Sequence, residues 1–190
     1  MRRLLPLLSL ALLLLLGACG DDSDNAPSES SSATQSGPIP GKVQDVAPTP
    51  VPDLTLETMD GSTIDLQAQE GRLLLVNFWA TWCAPCREEI PALKKLHTDL
   101  RAEGLRVIGV ALDRKGREVV APFADKLGVN YPIVIDSEGT VEAEFGPIPG
   151  LPTTILVTPE GQITKQVVGI FPIDEMRSRI RAMLRASDAT

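Results

Sequence analysis

Two cysteines, Cys83 and Cys86, stand three residues apart in the stretch VNFWATWCAPCREEIP at residues 76 to 91, with Ala84 and Pro85 between them. A Cys-x-x-Cys pair is compatible with half a zinc site, a structural disulfide, a haem attachment point or a redox couple, and each needs a different setting. Tetrahedral zinc wants four ligands, whereas the chain from Val51 onward offers these two cysteines and one histidine, His97. Haem attachment needs a histidine directly after the second cysteine, where Arg87 stands instead. A purely structural bridge would close a loop of only a few residues, where the entropic gain in the unfolded state is smallest. A redox couple gains from its position: an apolar run precedes the pair and a helical pattern follows, so a thiolate on Cys83 would lie at a helix N-terminus. Thiols there titrate at ~3.5 to 7.5 rather than ~8.5. On this reading Cys83 is the nucleophile and Cys86, one turn on, resolves the mixed disulfide. Pro85 fits the first turn of a helix, where its missing N–H would be unsatisfied anyway.

The elements that must position the pair follow from periodicity. Residues 72–80, RLLLVNFWA, form a continuous apolar run that suits a central strand buried on both faces. After the cysteines, Ile90, Leu93, Leu96 and Leu100 recur at helical spacing, and Gly104 stops that helix. Upstream, LTLETMDGSTIDL at 54–66 predicts two short strands around an Asp60-Gly61 turn. Downstream come a second buried strand at 105–112, a helix at 117–128, a strand at 131–136 and a short helical piece at 140–145. The proline cluster at 146–152 leads into a strand, TTILVT, whose partner QITKQVVG follows a turn at 159–161. The closing helix has Asp174 near its start and arginines toward its end, as the macrodipole favours. The order predicts one α/β domain with a mixed central sheet flanked by helices.

The chain opens with Arg2 and Arg3, an apolar run from Leu4 to Leu16, then Gly17, Ala18 and Cys19. This reads as a secretory signal peptide over residues 1–18, since a membrane-spanning helix wants about 20 apolar residues. The LGAC stretch resembles the lipobox of bacterial lipoproteins, which implies that Cys19 carries the lipid anchor. Residues 19–50, rich in Ser, Asp, Pro and Gly, cannot bury enough apolar surface to offset their ordering entropy and are expected to form a disordered tether. The folded domain is expected at 51–187. The net charge of −7 grows more negative once Arg2 and Arg3 leave with the signal, and no basic patch stands out, which argues against nucleic acid as a partner.

FWATWCAPCREEIPAL together with GLPTTILVTPEGQI resembles the extracytoplasmic, membrane-anchored thioredoxin-like proteins of the TlpA, ResA and cytochrome c maturation type. That resemblance implies a thioredoxin-like fold with an N-terminal β-hairpin and an inserted strand-helix segment. It also implies thiol–disulfide oxidoreductase activity on protein disulfides or dithiols, such as those of apocytochrome c, and a membrane-embedded thiol relay as electron donor. By the same resemblance Pro152 is a cis-proline beside the cysteines, with Leu151 and Thr153 lining the substrate groove, and Glu89 is a buried acid that relays protons. Cytoplasmic thioredoxin carries a buried Asp where this chain has Asn77, and Asn takes no proton at neutral pH, so acid–base work would pass to Glu89 or to water.

Trp79 is expected in the core, Trp82 in the apolar patch that greets partners, and His97 on the surface of its helix. A lipid-anchored monomer outside the cytoplasm, with no metal and no cofactor beyond the Cys83–Cys86 disulfide itself, completes the expectation. Two other readings stay open. A peroxiredoxin-like peroxidase would place Pro and Thr or Ser where this chain has Val76 and Ala80. A copper-binding module would hold Cu(I) on the two thiolates, although no Met or His cluster accompanies them.

Overall fold

Seven consecutive buried residues, Leu73–Trp79, form the strand around which the rest of the chain is arranged. The computed structural model describes residues 40–69 and 71–187. In chain order these contain β1 (Lys42–Pro50), β2 (Thr55–Glu57), β3 (Thr63–Asp65), β4 (Leu73–Trp79), α1 (Ala84–Leu100), β5 (Leu105–Ala111), α2 (Arg117–Leu127), β6 (Ile133–Ile135), α3 (Thr140–Phe145), β7 (Thr153–Val157), β8 (Gln162–Val168) and α4 (Ile173–Ser187). Six strands make one sheet in the order β1-β8-β7-β4-β5-β6, and β2 and β3 form a separate hairpin. The strands β4, β5 and β6 run parallel, while β7, β8 and β1 alternate in direction beside them. The expected mixed sheet and the inserted β6–α3 segment are both present.

Alternation along β4 assigns its two faces, because successive side chains on a strand point to opposite sides. Leu73 and Leu75 pack with Leu93, Leu96 and Leu100 of α1 and with Met176, Ile180 and Leu184 of α4. Leu74, Val76 and Phe78 face the other way, onto Leu56, Ile64 and Leu66 in and beside the hairpin, with Ile108, Ile155 and Val157 from neighbouring strands. By the same alternation Asn77 shares the face of Leu73 and Leu75 and looks toward α1. The hairpin turn is closed by Thr58, whose hydroxyl bonds Asp60, and Gly61 follows at φ 85°.

The folded part begins earlier than the expected boundary at Val51. Lys42 to Asp45 pair antiparallel with Val168 to Lys165 of β8, and after an irregularity Thr49 and Pro50 pair with Ile163 and Gln162. Residues 42–50 were expected within the disordered tether on composition. What places them in the fold is a backbone ladder on an edge strand, which needs few apolar side chains and tolerates Pro48 and Pro50. Only Val43 and Val46 of this strand pack against the core. Its entry is fixed by a close backbone approach: a Cβ on Gly41 would lie 2.7 Å from the carbonyl of Gly169. The signal segment, Cys19 and the tether as far as residue 39 lie outside the described residues.

Candidate active site

Parallel strands β4 and β5 end side by side at Trp79 and Ala111, and the loops leaving them build the site. Such carboxyl ends are where open α/β sheets carry their chemistry. From β4 the chain runs through Ala80, Thr81 and Trp82 to Cys83, which caps α1 in an extended conformation (φ −78°, ψ 107°) and accepts the Cys86 N–H on Sγ at 3.2 Å. Pro85 occupies the first turn, and no acidic residue lies in that turn. The partial positive charge of the helix end is therefore unopposed at Cys83, which favours a thiolate there once the bridge is reduced. Here Cys83 and Cys86 are joined as a disulfide with Cα atoms 5.3 Å apart.

Both cysteines are buried, Cys83 slightly less than Cys86. Cys83 is 4% exposed and Cys86 is sealed, while Trp82 beside them is 67% exposed, the one large apolar side chain so placed among the described residues. Trp79 lies in the core as expected, against Phe123 with ring centroids 5.5 Å apart and the rings tilted by 31°.

Asp113, just past β5, fixes the loop that carries Trp82. It is buried, and its carboxylate accepts the Thr81 N–H at 3.0 Å and the Thr81 hydroxyl at 2.6 Å. The Leu112 N–H donates to the Trp79 carbonyl at 2.9 Å on the same side. Sequence reasoning did not single out Asp113; its signal was only an acidic residue at the carboxyl end of a buried strand. Asp113→Ala strands two donors and is expected to cost about 2 kcal/mol of stability, read as a lower urea midpoint with an unchanged slope.

Glu89 is 2% exposed on the inner face of α1. Its Oε1 accepts from Asn77 Nδ2 at 2.7 Å, and its Oε2 accepts from the Phe171 N–H at 2.9 Å. Asn77 Nδ2 also donates to the Thr154 hydroxyl at 3.0 Å. Burial raises the Glu89 carboxyl from 4.5 to about 7, with the Phe171 and Asn77 donors pulling the other way. Away from β4 the same residue borders a groove of about 560 Å³ whose lining includes Ala92, Ile170, Phe171 and Ile173 together with Lys95 and Arg177. Glu89 stands three positions after Cys86 on α1, so the two share a face one turn apart.

The Leu151–Pro152 peptide is cis. It immediately precedes β7, whose first residue, Thr153, pairs with Phe78 of β4, so Pro152 lies at the same end of the sheet as the cysteines. Leu151 is half-buried and packs on the cluster that contains Cys83 and Cys86. Thr153 lines no groove: it is fully buried and its hydroxyl donates to the Gly150 carbonyl at 2.7 Å. His97, expected on the surface, is 9% exposed and meets Tyr131 edge to face at 6.2 Å. It lies fourteen residues along from Cys83, roughly 20 Å at the helical rise, too far to join the redox chemistry. Burial, then the charges of Arg101 and Arg106, hold its imidazole below the usual range.

A family model described as AhpC/TSA matches residues 48–166. The chain belongs to the AhpC/TSA family. Within this thioredoxin-like group the chain is 37% identical over 131 residues to the thioredoxin-like protein YneN of Bacillus subtilis, covering 68% of this chain and 75% of that one. It is 34% identical to the thiol–disulfide oxidoreductase ResA of the same organism over 62% of this chain, and spans 65% of that relative's length. Among solved structures, a putative thiol:disulfide interchange protein DsbE from Chlorobium tepidum superposes with a TM-score of 0.67 at 28% identity, covering 73% of this chain and 98% of that one. The AhpC/TSA fold found here is thus the thioredoxin-like one of the thiol–disulfide oxidoreductases, and the Cys83–Cys86 disulfide fits their Cys-x-x-Cys motif. Among the described residues no group of three or more His, Cys, Asp and Glu is arranged to hold a metal ion, and no helix is long and apolar enough to cross a membrane.

Proposed function

We propose that the protein reduces disulfides in exported proteins, working outside the cytoplasm on a lipid anchor at Cys19. The place of Cys83 carries this reading: it caps the head of α1 next to the exposed Trp82 and retains 4% exposure, whereas Cys86, one turn on, retains none. In the reduced protein the Cys83 thiolate attacks one sulfur of a substrate disulfide, forms a mixed disulfide and expels the other substrate sulfur as a thiolate. Cys86 gives its proton to Glu89, attacks Cys83 Sγ, and expels the second substrate sulfur. Two electrons pass to the substrate and the Cys83–Cys86 bridge is restored. A membrane-embedded dithiol relay recharges it, and apocytochrome c is the favoured substrate class. Leu151 and the cis-Pro152 backbone support the bound chain.

A peroxidase reading has little to work with, since Val76 and Ala80, where it needs proline and a hydroxyl, are apolar and fully buried. The test is insulin reduction driven by a dithiol donor, together with the potential of the pair. Turnover with a potential toward the reducing end of the ~−120 to −270 mV range of such couples is expected. A potential at the oxidising end would overturn the reductase direction, and copper binding without disulfide turnover would overturn the activity.

A further inference from the structure

Beside Trp82, the loop leaving β5 carries two cations on a closed turn. Asp113, Arg114, Lys115 and Gly116 form a turn closed by the Gly116 N–H donating to the Asp113 carbonyl at 2.8 Å, with Gly116 at φ 56°, where a side chain would be strained. The Asp113 side chain ties this turn to Thr81, next to Trp82. Arg114 and Lys115 are exposed and make no ion pair among the described residues. With Thr81, Trp82, Leu112 and Val119 they line a depression of about 390 Å³. Asp113 is the single acidic residue in that lining, and both its oxygens are already engaged by Thr81.

The geometry points to this depression as a substrate-selecting subsite that takes an acidic segment next to the target disulfide, Arg114 and Lys115 meeting its carboxylates while Trp82 covers the adjoining chain. Charge complementarity argues for an anionic occupant. In a chain of net charge −7, unpaired cations gathered at the one exposed tryptophan create a local field opposite to that of the whole surface, and such fields select and steer partners. The closed turn means that little backbone freedom of the loop remains to be lost on binding. The exposed aromatic supplies apolar contact beside the charges.

This inference rests on the disulfide-exchange reading, and one experiment separates the two. Two peptides carry the same cysteine as a mixed disulfide with neutral 2-thiopyridine, one flanked by three aspartates and the other by three lysines. Release of thiopyridone by the reduced protein is followed at about 20 mM and about 500 mM salt. The acidic peptide is expected to react about tenfold faster at low salt, with the ratio falling toward one at high salt as the charges are screened. Arg114→Glu/Lys115→Glu should invert the low-salt ratio, and Arg114→Ala/Lys115→Ala should bring it near one. Lys126→Glu/Arg185→Glu, with the same total charge change at the far ends of α2 and α4, should keep the wild-type ratio. Equal rates for the two peptides in the wild type, or an unchanged ratio in both loop variants, would overturn the subsite while leaving disulfide exchange standing. No release from either peptide would overturn both.

Discussion

A Cys86→Ala variant is expected to stall with its substrate still attached. Attack by Cys83 needs only a reachable thiolate, so the mixed disulfide forms, but no second sulfur is left to release it. Non-reducing electrophoresis should then show the variant in covalent complexes that a strong dithiol dissolves, while multiple-turnover insulin reduction is lost. Cys83→Ala should capture nothing and lose activity by about 10³-fold or more, the scale seen when a nucleophile is removed, because the remaining sulfur is sealed. The contrast between the variants is the informative result. Trapping by Cys83→Ala alone would reverse the assignment of attacker and resolver, and equal trapping by both would abolish the distinction. Neither change should unfold the protein, since the bridge closes a loop too short to constrain the unfolded chain greatly.

The parts of this molecule legible in its sequence were those set by side-chain periodicity. The β4 run and the Ile90, Leu93, Leu96, Leu100 stripe of α1 specify burial directly, and the structure places all of these residues inside. The same stripe, read more literally, passes through Cys86, Glu89 and His97, which are also buried. Residue type pulled the other way for both titratable positions. Glu89 could be solvated as readily as buried on sequence alone, because its burial depends on Asn77 and the Phe171 amide, 12 and 82 residues away. His97 is covered by Tyr131, from a loop that no local pattern links to α1. Adjacency to Pro152 places Thr153 at the groove, but all five residues of β7 are buried, so both faces of that strand are covered. Composition failed at β1 for the opposite reason. Its ladder with β8 is made of backbone groups, to which a scale of apolar content is blind.

Glu89 should impose a pH dependence on both stability and turnover. Its folded carboxyl ionises at about 7 and its ordinary value is 4.5, so between these pH values the native state holds a proton that the unfolded chain has released. Stability therefore falls as pH rises from about 4.5 through about 7, then levels off. At about 1.4 kcal/mol per unit the fall attributable to this group is roughly 3 kcal/mol. Resolution runs the other way: Cys86 needs a base, so its rate should rise through pH 7 as Glu89 ionises. Glu89→Gln keeps the shape of the side chain but sets an amide NH₂ against a donor on Asn77 or Phe171, at a cost of about 1 to 3 kcal/mol. In that variant the stability slope between pH 5 and 7 should flatten, and release of the mixed disulfide should slow by about 10²-fold with no inflection near 7. A purely structural role predicts a destabilised variant whose inflection persists, and that outcome would remove Glu89 from the proton path.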